Sequence, residues 1–103
     1  MPIADSQNSP ASSAIRVAIV EDRQDIREGL CVLINSTPGY ECIGTYSTME
    51  LALEKIDERM TTAEPLEVAL IDLGLPGMSG IEGIKRLKER HPRLLTLVLT
   101  VFD

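Results

Sequence analysis

The sequence contains few aromatic residues, no tryptophan and no long apolar run. Aromatic residues make up 3% of the 103 residues, whereas hydrophobic residues make up 44%. The core must therefore be mostly aliphatic, and the length suffices for one small domain. No apolar run approaches the ~20 residues of a membrane span, and the first residues lack a signal-peptide pattern. We therefore expect a soluble cytoplasmic protein that does not enter a membrane.

Positive charge is also scarce. The chain has 10 Lys and Arg against 16 Asp and Glu, which gives a net charge of -6. Binding to nucleic-acid phosphates requires clustered Lys and Arg. The only basic cluster, residues 85–93, falls in the last turns of a predicted helix, where the helix dipole favours cations. We therefore expect this segment to bind no nucleic acid.

Cysteine and histidine are rare and lack metal-ligand spacing. Cys31 falls in a predicted helix and Cys42 in a predicted strand, so both are expected to be small buried residues rather than a disulfide. The single histidine, His91, precedes a proline where a helix must stop. It is expected to be a solvated helix-end residue rather than a ligand.

Three apolar runs, residues 17–20, 68–71 and 94–99, organise the rest of the sequence. They do not alternate with polar residues, apart from one threonine in the third run, which indicates strands covered on both faces of a parallel sheet. Residues 40–46 form a weaker strand pattern, which suggests an edge position. Helical patterns separate the runs, so the sequence predicts a doubly wound parallel α/β sheet of at least four strands.

The helical patterns carry recognisable start and stop signals. Residues 24–36 place an apolar stripe on one face, made of Ile26, Leu30, Leu33 and Ile34. Residues 47–50 read as a capping box for the next helix, with Tyr46 and Leu51 as a hydrophobic staple. That helix continues with Met49, Ala52, Leu53, Ile56 and Met60 on one face. Residues 79–82 are a second capping-box candidate, followed by Ile81, Ile84 and Leu87 on the apolar side.

Each of the three apolar runs ends in polar residues. Glu21 and Asp22 follow the first run, Asp72 follows the second and Thr100 follows the third. Parallel strands bring their carboxyl ends to one edge, where ligands bind in open α/β folds. Two carboxylates about 4 Å apart repel by roughly 4 kcal/mol at an effective dielectric near 20. Either one carboxyl group is protonated, or a divalent cation sits among them.

The acidic edge suggests phosphoryl chemistry. Mg²⁺ prefers oxygen ligands and often shares its shell with a phosphoryl group, and an aspartate can accept a phosphoryl group itself. Asp72, alone at the end of the central strand, is the natural acceptor. Glu21 and Asp22 are the natural metal holders, and the Thr100 hydroxyl could donate to a phosphoryl oxygen.

These motifs resemble a known family. An acidic pair after the first strand, Asp72 after the third with Pro76 and Gly80 behind it, and Thr100 after the fourth resemble the receiver domain of two-component response regulators. The segments 27–30 and 72–80 are most similar to the branch of LuxR/NarL type, whose members carry a DNA-binding output domain. The likeness covers residues 15–103 and implies a flavodoxin-like fold with strand order 2-1-3-4.

The resemblance implies roles for five residues. Asp72 would accept a phosphoryl group from a sensor histidine kinase. Mg²⁺ would be held by Glu21, Asp22, Asp72 and the backbone carbonyl of Gly74. Thr100 would then move toward the phosphate and couple it to a change at the surface. The chain itself would be a signalling domain rather than an enzyme.

The likeness stops before the family pattern ends. Family members continue through a fifth strand that ends near a phosphate-binding lysine, and no Lys here matches it. The absent part usually also forms the homodimer face and precedes the output domain that binds DNA. We therefore expect residues 15–103 to be a receiver domain incomplete at its C-terminus, preceded by a disordered tail over residues 1–14.

Three alternatives stay open at this point. A receiver-like interaction module that is never phosphorylated would fit the absent lysine. A phosphatase of the haloacid dehalogenase kind also uses a strand-end aspartate and Mg²⁺, but it needs a second Asp two residues later, where Gly74 stands. A purely structural acidic edge would leave the coincidence of three polar strand ends unexplained.

Overall fold

The computed structural model describes residues 13–100 and centres on a four-stranded sheet. The strands are β1 (Ile15–Val20), β2 (Tyr40–Tyr46), β3 (Val68–Asp72) and β4 (Leu95–Leu99). Each neighbouring pair is parallel, and the order across the sheet is β2-β1-β3-β4. The predicted fold class, the strand order and the edge position of residues 40–46 are confirmed.

One prediction concerns residues that lie mostly outside the described range. The tail proposed for residues 1–14 lies outside it except for Ser13 and Ala14. Residues 101–103 also lie outside it. Within residues 13–100, no helix combines the length and apolar character that a membrane crossing would require.

Three helices connect the strands and lie on both faces of the sheet. They are α1 (Gln24–Asn35), α2 (Met49–Arg59) and α3 (Gly80–Arg90). Because side chains alternate along a strand, Ala18 and Val20 of β1 face the side covered by α2 and α3. The main core cluster on that side also contains Met49, Ala52, Leu53, Ile56, Leu66, Ala69, Ile71, Leu75, Leu87 and Leu94.

The α1 side of the sheet is less completely covered. No residue of α1 is fully buried, and Leu33 is 61% exposed, so the prediction that Leu33 belongs to a buried stripe is wrong. Successive residues are rotated by about 100° around the helix axis. Because Ile34 faces the sheet, Leu33 points away from it. Ile34 lines an open apolar depression of about 340 Å³ together with side chains of all four strands.

Helix α2 begins one residue later than its predicted capping box requires. Thr48, not Ser47, is the N-cap, and its side-chain oxygen accepts a hydrogen bond of 3.1 Å from the Leu51 N–H. The predicted staple between Tyr46 and Leu51 therefore lacks the required spacing. The apolar face is confirmed: four of its five predicted residues are buried, and Met60 packs against the core.

Helix α3 begins as predicted but uses a different face near its start. Ser79 Oγ accepts a hydrogen bond of 3.1 Å from the Glu82 N–H. Leu87 is buried and Ile84 packs against the core. Ile81 is 56% exposed, so its prediction as a core residue is wrong. Gly80 and Gly83 are the buried residues of this part of the helix.

The C-terminal end of α3 is fastened to α2 by an ionic cluster. Asp57 Oδ2 lies 2.7 Å from Arg90 Nη1, and Asp57 Oδ1 lies 2.7 Å from His91 Nε2. The His91 side chain is only 17% exposed. His91 therefore ends the helix as predicted, but it is not a solvated residue.

Both cysteines are free thiols, as expected. Cys31 lies in α1 and Cys42 in β2, and each is half-buried. Burial, followed by the hydrogen bond and charge of the neighbouring Cys31 thiol, raises the pKa of Cys42 to about 12. Cys42 is therefore a neutral packing residue at physiological pH.

Candidate functional site

Three carboxylates meet at the carboxyl edge of the sheet. Val20 of β1 pairs with Ile71 of β3, so the next residues along each strand, Glu21 and Asp72, lie level with one another. One carboxylate oxygen from each of Glu21, Asp22 and Asp72 lies within 4.8 Å of the other two. The structure thus brings together the three acidic residues singled out in the sequence.

Glu21 is the most unusual member of the group. Glu21 is only 1% exposed. Oε2 accepts a hydrogen bond of 3.0 Å from the Arg23 N–H, while Oε1 is buried and has no hydrogen-bond partner among the described residues. A buried carboxylate oxygen without a donor is costly. An arriving cation would satisfy it.

The pKa of Glu21 reflects this environment. Burial is the main cause that raises the pKa of Glu21, and the negative charges of the neighbouring Asp72 and Asp22 carboxylates raise it further. The Arg23 N–H acts in the opposite direction. Without a cation, Glu21 therefore keeps its proton to a higher pH than an ordinary glutamate does.

Asp72 is half-buried at the end of β3. Its Oδ1 accepts a hydrogen bond of 3.1 Å from the Gly74 N–H, which fixes the start of the following loop. Within residues 13–100, no group donates to Oδ2. One oxygen of Asp72 is therefore held in place and the other is available for bonding.

The loop after Asp72 is held by contacts that the sequence did not suggest. Glu50, in the first turn of α2, accepts a hydrogen bond of 3.1 Å from the Met78 N–H through Oε2. Gly77 has a φ of 74°, a conformation that favours glycine. A Cβ atom at this position would lie 2.8 Å from Glu50 Oε2. The spacing of residues 47–50 predicts a capping role for Glu50, whereas its side chain contacts the loop after Asp72.

Thr100 and Gly74, the other two predicted site residues, also lie at this edge. Asp72 pairs with Leu99, so Thr100 is the first residue beyond the partner of Asp72. Thr100 is exposed. Gly74 lies two residues beyond Asp72 and contacts it through its N–H. The metal contact predicted for its carbonyl and the phosphoryl contact predicted for Thr100 stay predictions.

The donor set fits Mg²⁺. All three candidate ligands are carboxylates, and hard divalent cations take oxygen ligands. The buried Glu21 Oε1, which no other described residue contacts through a hydrogen bond, is an independent indication that the site suits a positive charge. Glu21, Asp22 and Asp72 could hold such an ion. The predicted ligand set is therefore compatible with the structure.

Comparison with known proteins identifies relatives of this chain. Residues 17–103 match the family model of the response regulator receiver domain. The chain is 38% identical over 88 residues to the transcriptional regulatory protein YdfI of Bacillus subtilis, which covers 85% of this chain and 38% of YdfI. It is 30% identical over 89 residues to the response regulator GacA of Pseudomonas viridiflava, covering 86% of this chain and 39% of GacA.

Solved structures give the same fold. A two-component response regulator of the LuxR family from Aurantimonas sp. SI85-9A1 superimposes with a TM-score of 0.75 at 27% identity, over 88% of this chain and 61% of that one. The signal receiver domain of the putative response regulator NarL from Mycobacterium tuberculosis has a TM-score of 0.76 at 23% identity, over 88% and 69% of the two chains. The chain thus spans about two-fifths of the length of these curated relatives and about two-thirds of the length of the chains in these solved structures.

Proposed function

The chain belongs to the response regulator receiver-domain family, and we propose from this premise that Asp72 is its phosphoacceptor. A sensor histidine kinase would supply the phosphoryl group in the cytoplasm. The single observation that carries the proposal is the meeting of three carboxylates at one edge of the sheet, where the buried Glu21 Oε1 atom has no partner within residues 13–100.

The transfer requires a free nucleophilic oxygen, and Asp72 Oδ2 provides one. This oxygen attacks phosphorus of the phosphorylated histidine, the new O–P bond forms as the N–P bond breaks, and the bonding pair leaves with the imidazole nitrogen. The Gly74 N–H holds Oδ1, which keeps the carboxylate in one orientation. Fixed orientation lowers the entropic cost of reaching the transition state.

The other site residues act through charge and hydrogen bonding. Mg²⁺, held by Glu21, Asp22, Asp72 and the Gly74 carbonyl, would neutralise charge on the phosphoryl oxygens. Thr100, the first residue beyond the strand partner of Asp72, would donate its hydroxyl to a phosphoryl oxygen. That contact would link the phosphorylated state to the end of β4.

The output of the whole protein is proposed from its relatives. YdfI carries the name of a transcriptional regulatory protein, and this chain matches 38% of it. We propose that phosphorylation of this domain controls transcription through DNA binding elsewhere in the protein. The receiver domain itself would contact the kinase and, in the active state, a second copy of the protein.

Phosphate-affinity electrophoresis of the full-length protein tests the proposal. After incubation with acetyl phosphate and Mg²⁺, the wild-type protein should show a retarded band and Asp72→Asn should show none. Asp25→Asn is the matched control, because Asp25 is an exposed carboxylate in the first turn of α1, and it should be labelled normally. Labelling that persists in Asp72→Asn, or a folded wild-type protein that is never labelled, would overturn the assignment. The second result would favour an interaction module.

A further inference from the structure

The loop that carries Glu21 and Asp22 is held by a side chain from α1. Arg27 Nη1 donates a hydrogen bond of 2.9 Å to the main-chain carbonyl of Glu21 and a longer one of 3.4 Å to that of Asp22. A guanidinium nitrogen carries two hydrogens, so one nitrogen can serve both acceptors. Arg27 therefore contacts both acidic residues of the loop through their backbone.

The start of the loop is also anchored by the sheet. The Glu21 N–H donates a hydrogen bond of 3.0 Å to the carbonyl of Tyr46, the last residue of β2. The Arg27 N–H in turn donates a hydrogen bond of 2.9 Å to the Arg23 carbonyl, which closes the first turn of α1. The three loop residues between β1 and α1 are thus tied to rigid elements on both sides.

The choice of acceptor matters for the chemistry of the site. The two Arg27 contacts are made to carbonyl oxygens, so they bring a positive charge close to the acidic group without occupying a carboxylate oxygen. The buried Glu21 Oε1 still has no hydrogen-bond partner in the part of the chain that the structure describes. Because three carboxylates repel one another, a loop without this restraint would relax and move Glu21 and Asp22 away from Asp72.

From these contacts we infer that Arg27 is a positioning residue that holds the Glu21 and Asp22 backbone so that their carboxylates converge on Asp72. The inference rests on the proposed function, because convergence is useful only if the carboxylates share a cation. Residues that orient metal ligands without touching the metal typically contribute about 10- to 100-fold to metal affinity. We expect an effect near the lower end of that range.

Two substitutions separate position from charge. Arg27→Met keeps the aliphatic stem but removes both donors and the charge. Arg27→Lys keeps the charge but replaces the planar guanidinium by a single ammonium on a flexible stem. Arg86→Met is the control. It also removes one positive charge, but Arg86 pairs with Glu82 on α3 and does not contact the loop.

Mn²⁺ binding to the full-length proteins, followed by electron paramagnetic resonance, gives a readout that does not depend on phosphorylation. We expect Mn²⁺ affinity to fall about tenfold in Arg27→Met and in Arg27→Lys and to stay within about twofold of wild type in Arg86→Met. Amide hydrogen exchange of residues 21–23 should accelerate in both Arg27 variants. Folding is checked by thermal unfolding of each variant.

The outcomes distinguish the two proposals. If wild type binds Mn²⁺ and both Arg27 variants bind equally well, only the role of Arg27 is refuted. If Arg27→Lys binds like wild type while Arg27→Met does not, the effect is one of charge and positioning is again refuted. If wild type binds no Mn²⁺ at millimolar concentrations, the proposed function fails and this inference fails with it.

Discussion

Gly80, the first residue of α3, packs directly against the backbone of Asp72. A Cβ atom at Gly80 would overlap the Asp72 carbonyl oxygen and would lie 2.9 Å from the Leu73 Cα. The start of α3 and the end of β3 are therefore in contact through main-chain atoms. This close approach leaves no room for a side chain at residue 80.

Replacing Gly80 by alanine should displace the end of β3. Overpacking of this kind costs about 1 to 3 kcal/mol, and here the neighbours are backbone atoms that cannot rotate away. We expect Gly80→Ala to lower the free energy of unfolding by that amount, measured by urea denaturation, and to slow phosphorylation of Asp72.

Gly29→Ala is the matched control for this substitution. Gly29 lies within α1, and a Cβ there would have nothing within 4 Å. Alanine is a better helix former than glycine, so this change should stabilise the protein by about 0.5 to 1 kcal/mol. A loss of similar size in both variants would contradict the explanation by close contact.

Glu21→Gln should stabilise the cation-free protein at pH 7. Because burial raises the pKa of Glu21 above its ordinary value of 4.5, the folded chain retains a proton that the unfolded chain has already released. Stability therefore falls as the pH rises from 4.5 through the raised pKa. Gln cannot ionise, so the variant escapes this loss and should melt at a higher temperature than the wild type.

Thermal unfolding in EDTA at pH 4 and pH 7 measures this effect. Glu21→Gln should melt at a higher temperature than the wild type at pH 7 but not at pH 4. Added Mg²⁺ should stabilise the wild type more than the variant. Glu54→Gln, on the exposed face of α2, should change neither profile. A gain that is equal at both pH values would show that ionisation of Glu21 is not its cause.

Asp57→Asn should loosen the junction between α2 and α3. The substitution removes the charge that contacts both Arg90 and His91 at 2.7 Å. Because the Arg90 and Asp57 side chains are 44% and 41% exposed, solvent screens the pair, and we expect a loss of only about 0.5 to 1 kcal/mol at low salt.

Salt dependence checks the ionic origin of that loss. At about 1 M NaCl the difference between wild type and Asp57→Asn should shrink, because the Debye length falls to ~3 Å. Glu58→Gln, which removes an exposed contact of 3.9 Å to Lys55, should have little effect at either salt concentration. An undiminished loss at high salt would point to packing instead.

Two substitutions within α3 test which of its faces is buried. Leu87 is fully buried whereas Ile81 is 56% exposed. We expect Leu87→Ala to cost about 2 to 5 kcal/mol and Ile81→Ala to cost less than about 0.5 kcal/mol, measured by urea denaturation of the full-length proteins. Comparable losses would place Ile81 in an interface.

The sheet could be predicted from the sequence because the patterns that indicate its strands are local. The run at residues 68–71 and its abrupt end at Asp72 determine both the strand and the place of the carboxylate. Side-chain orientation within the helices was harder to predict. Ile81 and Leu33 fit a helical apolar stripe, but the two glycines of α3 and the contacts of Ile34 decide which side faces the sheet.

The restraints around the site could not be predicted because they join residues far apart in sequence. Glu50 and the Met78 N–H, for example, are separated by 28 positions. Arg27 is closer to its acceptors, but a positively charged residue in the first turns of a helix gives no sign that it donates to preceding carbonyls. Spacing rules identified the carboxylates and missed the groups that hold them.

The level register of β1, β3 and β4 has a consequence for how related chains can differ in length. Deleting one residue inside β3 would exchange the two faces of the strand beyond the gap and turn Asp72 away from Glu21. Residues 61–64, in the polar connection between α2 and β3, have no such constraint, because they are exposed and make no strand pairs. Among homologues, we therefore expect insertions and deletions to collect in that connection and to be absent from the three strands that end at the acidic edge.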